Sequence, residues 1–134
     1  MGCKKVRAHN FLNSRDPVAV KSVTNSFDLV LVTANADLDW NAYLNTLKPG
    51  GKLHIVGATP PVKADVFALI ASERSIGGSP TGSPRTIRMM LDFCNRHKIS
   101  PLVEEFPLSR VNEAMDHLKA GKARYRIVLR NDFY

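Results

Sequence analysis

The sequence predicts an α/β fold built on an open sheet of parallel strands, and three observations carry that reading. The segments "FDLVLV" (Phe27 to Val32) and "KLHIV" (Lys52 to Val56) are continuous apolar runs, which suit strands covered on both faces better than strands with one wet face. Between them Trp40, Tyr43, Leu44 and Leu47 recur at helical spacing. Strand, helix and strand thus fall within about thirty residues, the span of a right-handed crossover unit. Strand and helix signals then keep alternating to the C-terminus, with no internal repeat and no low-complexity segment.

Taken in order, "HNFLNS" (His9 to Ser14) predicts an early strand, and Asp16-Pro17 opens a short helix with a cap followed by proline. The Phe27–Val32 strand comes next, and Asp37 can cap the helix that carries Trp40 to Leu47. Pro49, Gly50 and Gly51 end that helix, because proline cannot continue it and glycine tolerates a left-handed turn. After the Lys52–Val56 strand and the stop at Pro60-Pro61, Ala64 to Ser72 reads as helix, and Arg74 to Ser83 as a short strand running into a Gly/Ser/Pro loop. Ser83 and Pro84 give cap and first position to a helix whose Ile87, Met90, Leu91 and Cys94 form one apolar face. A further helix spans Leu108 to Lys119, capped by Ser109, buried through Val111, Ala114, Met115 and Leu118, and closed by Gly121; the last strand is Tyr125 to Leu129.

The 134 residues, 44% of them apolar, suffice for one core and argue against disorder. The net charge of +7 invites a nucleic-acid reading, but lysines and arginines are scattered in ones and twos with few aromatics among them, so a solvated basic face with one or two anion-binding arginines is preferred. Cys3 and Cys94 lie far apart and in no metal-like spacing, so nothing suggests a disulfide framework or zinc site, and a reduced, cytoplasmic setting is the default expectation. No apolar run approaches the roughly 20 residues of a membrane span.

Ligands of open parallel sheets bind at the carboxyl ends of the strands. The loops after Val32, Val56 and Ile76 should therefore share one rim, and all three are rich in small residues: "TANA", "GATPP" and "GGSPTGS". Small residues let backbone groups approach a flat ligand closely. A G-x-G-x-x-G phosphate turn is absent, and Gly77-Gly78 with Gly82 reads better as a strand-to-helix connection than as a phosphate loop. Candidate catalytic groups are few. His54 reads as a hydrogen-bonded core histidine, and His97 and His117 as imidazoles suited to helix C-termini. Ser79 and Ser83 lack a nucleophile elbow, Cys94 reads as core, and Asp28, Glu104 and Glu105 read as solvated surface.

Together "FDLVLVTANADLDWNAYLNTLKPGGKLHIVGA", "SIGGSPTGSPRTIRMMLDFCNRHKI" and "FPLSRVNEAMDHLKAGKARYRIVL" resemble the C-terminal two-thirds of the cofactor domain of zinc-dependent medium-chain alcohol dehydrogenases, nearest to the cinnamyl-alcohol-dehydrogenase-like branch. The resemblance implies a partial Rossmann-type, doubly wound parallel sheet that lacks its first strands and glycine-rich turn. It implies NADP(H)-linked reduction of aldehydes or oxidation of alcohols, with zinc held by a separate domain. Carried over by position, Thr33 and Ala34 match the loop on the adenosine and ribose side of the cofactor. Val56, Gly57 and Ala58 match the strand end that meets the nicotinamide, Ser79, Pro80 and Thr81 the loop beside its ribose and carboxamide, and Arg126 an arginine that contacts the phosphates.

The family's zinc ligands, catalytic domain and first nucleotide-binding strand would lie upstream of Met1, so the chain is expected to be one partial domain, inactive alone. Loss of the first two strands should bare the flank of the Phe27–Val32 strand, and the family's subunit interface lies near Ile76; both features lead to an expectation of homo-oligomers through sheet edges. Two other readings stand beside this one. "FDLVLV…LKPGGKLHIVG" also fits an S-adenosylmethionine-dependent methyltransferase, and the chain could be a non-catalytic dimerisation module.

Overall fold

In the computed structural model, which describes residues 8–133, the chain forms two compact units, one ending at Thr81 and the other beginning at Gly82. The first holds α1 (Pro17–Ser22), β1 (Phe27–Val32), α2 (Trp40–Thr46), β2 (Leu47–Ile55), α3 (Val66–Ile70) and β3 (Ser75–Gly78). All three strands are parallel, in the order β1-β2-β3. The α/β class with parallel strands is as the sequence predicts.

Side-by-side partners in a ladder share a face. The rows Val30–Leu53–Ile76 and Val32–Ile55 therefore point one way, and α2 covers them. Val32, Trp40, Leu44, Leu47 and Leu53 are buried there as one cluster, edged by Tyr43, Ala64 and Leu69. The Asp39 carboxylate accepts from the Ala42 N–H at 3.0 Å and starts α2, so the cap falls two residues later than Asp37. The opposite face differs from expectation: Phe27, Leu29 and Leu31 are 41%, 57% and 56% exposed, so β1 is covered on one side only. Its outer edge is also unpaired among the described residues.

Two boundaries move. Residues 9–14 form no strand; Asn13 builds a turn instead, accepting from the Arg15 N–H through its side chain and from the Asp16 N–H through its carbonyl. A strand there would need a neighbour's ladder, and the edge of β1 has none. Leu47 belongs to β2 rather than to the helix. Its extended backbone pairs with Phe27, the Lys48 ammonium meets the Asp28 carboxylate at 3.0 Å, and a bulge between Phe27 and Leu29 resets the register before the regular ladder from Lys52. Asp28 therefore has a partner that its sequence context did not reveal. Gly50, at φ 74°, is the left-handed turn residue that the sequence demanded, and it lies inside the strand.

At the amino end of this sheet Arg74 donates to two side-chain amides, Nη2 to Asn25 Oδ1 at 2.7 Å and Nη1 to Asn45 Oδ1 at 3.3 Å. A lysine cannot span both oxygens. Arg74→Lys should therefore lower stability by about 1 kcal/mol, the worth of one lost hydrogen bond, read as a shift of the urea midpoint at unchanged slope.

The second unit holds α4 (Pro84–Arg96), β4 (Val103–Pro107), a 3-10 turn (Leu108–Arg110), α5 (Val111–Lys119) and β5 (Arg126–Arg130), with β4 and β5 parallel. Ser83 caps α4 by accepting from the Thr86 N–H, as its sequence predicts. The apolar face of α4 is not core: Ile87, Met90 and Leu91 are exposed and Cys94 is only half-buried. In α5 Ala114 alone is buried, while Met115 and Leu118 are exposed. Ser109 does not cap α5. Its N–H and hydroxyl both donate to the Asp132 carboxylate, leaving the first turn 3-10.

Strand β4 is missing from the sequence reading, and Glu104 is not free surface. It accepts from the Arg124 N–H at 2.6 Å, and its other oxygen lies 2.8 Å from His117 Nε2. The carboxylate so ties β4 to α5 and to the approach to β5. The Arg124 N–H first, then His117, hold it below the ordinary carboxylate range; Ser109 does the same for Asp132, and Arg110 for Glu113. A carboxyl group that is more acidic when folded stabilises the fold above its unfolded value, near 4, and loses that contribution as pH falls below it. The thermal midpoint should therefore drop on acidification below about pH 5. Glu104→Gln should start lower at neutral pH and fall less steeply in acid.

Candidate functional site at the carboxyl rim of the first sheet

Because β1, β2 and β3 are parallel, their carboxyl ends lie along one edge. This brings together every residue singled out from the sequence except Arg126: Thr33 and Ala34 after β1, Val56, Gly57 and Ala58 after β2, and Ser79, Pro80 and Thr81 after β3. Arg126 opens β5 in the second unit, exposed and paired in register with Val103.

Backbone hydrogen bonds build the rim. The N–H groups of Val56 and Gly57 both donate to the Val32 carbonyl, at 3.0 and 3.2 Å, and the Thr59 N–H donates to the Gly57 carbonyl at 3.0 Å. The chain leaving β2 is thereby held against the chain leaving β1. Gly57 has a reason of its own: a Cβ there would fall on the Ala34 carbonyl oxygen and stand 2.9 Å from the Thr33 carbonyl carbon. The space that its absent side chain leaves is occupied by neighbouring backbone. Val56 is 48% exposed, and Ala58, Ser79, Pro80 and Thr81 are exposed, so the rim offers apolar surface, hydroxyls and bare peptide groups to a ligand.

The loop after β3 is pinned to β2 twice. The Ser79 N–H donates to the Ile55 carbonyl at 3.3 Å, and the Ser79 hydroxyl lies 2.9 Å from His54 Nε2. His54 is hydrogen-bonded as its sequence context predicts, but it is half-buried at the rim rather than in the core. The sequence did carry a signal for this: His54 alternates with Leu53 and Ile55 along β2 and so faces away from the buried cluster. A cleft of about 1010 Å³ also opens in the first unit between α1 and α2, with Arg15, Lys21, Asp37 and Asp39 among its walls. Of the three rim loops only Ala36 reaches it, and it gathers no set of convergent groups with a common chemistry.

The described residues hold no group of three or more His, Cys, Asp or Glu able to bind a metal ion, and no helix long and apolar enough to cross a membrane.

Residues 2–96 match the zinc-binding dehydrogenase family. The chain is 47% identical over 123 residues to the aldehyde reductase AdhA of Synechocystis sp., a match that covers 91% of this chain and 37% of that protein. It is 35% identical over 126 residues to the NADP-dependent alcohol dehydrogenase C 1 of Mycolicibacterium smegmatis, with 93% and 36% covered. A cinnamyl alcohol dehydrogenase from Sorghum bicolor superposes with a TM-score of 0.84 at 29% identity, over 93% of this chain and 36% of that one. The chain spans just over a third of the length of these relatives. These matches leave the methyltransferase reading without support. The chain belongs to the zinc-binding dehydrogenase family and represents the C-terminal domain of its medium-chain alcohol dehydrogenases.

Proposed function

We propose that this chain supplies the nicotinamide side of an NADP(H) site in a zinc-type oxidoreductase that interconverts alcohols and aldehydes. The observation that supports this is the single rim, which lines up three small-residue loops at the carboxyl ends of adjacent parallel strands. The choice of NADP(H) leans on the relative named NADP-dependent, and that of aldehyde on the relative named aldehyde reductase.

On this reading Val56 and Ala58 would support one face of the nicotinamide ring, Ser79 and Thr81 would hydrogen-bond its ribose and carboxamide, and Thr33 and Ala34 would flank the adenosine side. Gly57 holds the rim together by letting the Thr33–Ala34 backbone close. The bound cofactor would supply hydride transfer. Zinc would come from residues outside this chain, and the chain alone would not turn over. The site would work in the cytoplasm, in an oligomer that covers the free edge of β1 or of β3 with a second copy.

The test is a titration of the isotopically labelled chain with nicotinamide mononucleotide, followed by amide resonances. Shifts confined to the three rim loops support the reading; shifts elsewhere, or none at millimolar ligand, overturn it. In parallel, submillimolar NADPH should leave the thermal midpoint unchanged, because ligand near or below its dissociation constant adds under about 0.4 kcal/mol. Aldehyde-dependent oxidation of NADPH by the chain with added zinc would refute its dependence on further residues.

A further inference from the structure

Resting on that reading of the rim, we propose that His54 is a positioning residue that sets whether the Ser79 hydroxyl donates to or accepts from the carboxamide of a nicotinamide. The two side chains meet at 2.9 Å through His54 Nε2 and Ser79 Oγ. A hydroxyl carries one proton, so the direction of this bond fixes what Ser79 can offer on its other side. When Nε2 is bare, it takes the Ser79 proton, and Oγ is left as an acceptor for an amide N–H. When Nε2 carries a proton, it donates to Oγ, and the hydroxyl proton is free to reach a carbonyl.

Which state holds is left open by the surroundings. The tautomer of a histidine is normally fixed by the bond that its other nitrogen makes. His54 Nδ1 makes none among the described residues; it faces Gly77, where even an added Cβ would stand 3.7 Å away. Ser79, by contrast, is fixed in place, since its N–H is already tied to the Ile55 carbonyl. A ligand on the rim therefore meets a hydroxyl of set position and adjustable polarity. Protonation of the ring removes the first state altogether, because both nitrogens then donate.

The groups that face His54 in the first unit are few. On β1 the neighbouring side chains of that face are Leu29 and Leu31, on β3 they are Ser75 and the bare Gly77, and on β2 the next is Lys52. Lys52 is the one charged group among them. No carboxylate stands on these rows to lock the ring in its charged form.

The experiment follows the imidazole nitrogens and backbone amides of the labelled full chain across pH 5 to 8, with and without nicotinamide mononucleotide. Without ligand, the Ser79 and Thr81 amides should titrate together with His54, and this component should vanish in His54→Gln, which keeps a polar side chain but does not ionise. Ser79→Ala, a surface change independent of that variant's folding, should alter the His54 tautomer signal. Amides that ignore His54, or a His54 signal indifferent to Ser79→Ala, would overturn the proposal. With ligand, His54→Leu should bind the mononucleotide about fivefold more weakly, the loss of one hydrogen bond. His54→Gln should recover most of that affinity and show none of the wild-type pH dependence, a pattern that a merely structural role would not give. If the rim amides shift with ligand while the His54 tautomer signal stays still, the inference falls and the rim reading stands. If His54 and Ser79 are linked but ligand moves no rim amide, the cofactor reading falls and takes the carboxamide role with it.

Discussion

Gly57→Ala is expected to destabilise the first unit by about 3 kcal/mol or to prevent it from folding. The added methyl would meet backbone on every near side: the Ala34 carbonyl oxygen, the Thr33 carbonyl carbon and the Ala34 carbonyl carbon at 3.0 Å. Backbone cannot rotate away as a flexible side chain can, and this backbone is held by the two N–H groups that share the Val32 carbonyl. Relief would require breaking those bonds or splaying β1 from β2. Gly77→Ala is the control. Its Cβ would lie 3.7 Å from the His54 ring, an ordinary contact, so its stability should stay within about 0.5 kcal/mol of the parent. Urea titrations of the two variants check the pair. Equal midpoints would mean that the rim is looser than the Thr33–Gly57 contact requires, and any loss of ligand response in Gly57→Ala must be read after its folding.

That glycine illustrates how far the sequence could be read. "VGATPP" announces a special backbone position after a buried strand, and the position is special. The sequence does not say whether the missing side chain makes room for a ligand or for the chain itself, because the answer depends on a partner 23 residues away. Elements defined by local chemistry were legible: Asp16 before Pro17, Ser83 before Pro84, and the periodic run from Trp40. Those defined by a distant partner were not. Leu47 fits the helical spacing and is claimed instead by Phe27 across the ladder. Glu104 and Glu105 look like solvated charge, and β4 forms because β5 offers it a register. Ser109 has a capping residue's composition, yet Asp132 takes its donors. The same limit hid the His54–Ser79 pair, whose members lie 25 positions apart and meet only because β2 and β3 are adjacent.

Leu44→Ala should cost about 3 to 4 kcal/mol, while Leu31→Ala, the same truncation on the open face of β1, should cost less than about 0.5 kcal/mol. Leu44 is fully buried and sits on α2 within a cluster of five, so truncation removes apolar contact and leaves a cavity whose walls are Val32, Leu53 and their neighbours. So small a cluster has little spare stability, and the loss is a large share of the 5 to 15 kcal/mol typical of a domain. Leu31 shares β1 with Val32 but points to the open face, where it is 56% exposed and surrenders little on truncation. The contrast also tests whether a second copy covers this open face, beyond the edge pairing proposed above. If a second copy covers the row of Phe27, Leu29 and Leu31, Leu31→Ala will lower the thermal midpoint in a concentration-dependent way, because mass action then links the site to folding. Light scattering on Leu31→Lys separates the cases. A monomer with an unchanged midpoint places that face in water, whereas dissociation of a wild-type dimer places it in an interface. A Leu31→Ala cost as large as that of Leu44→Ala in a strict monomer would contradict the one-sided burial of β1 itself.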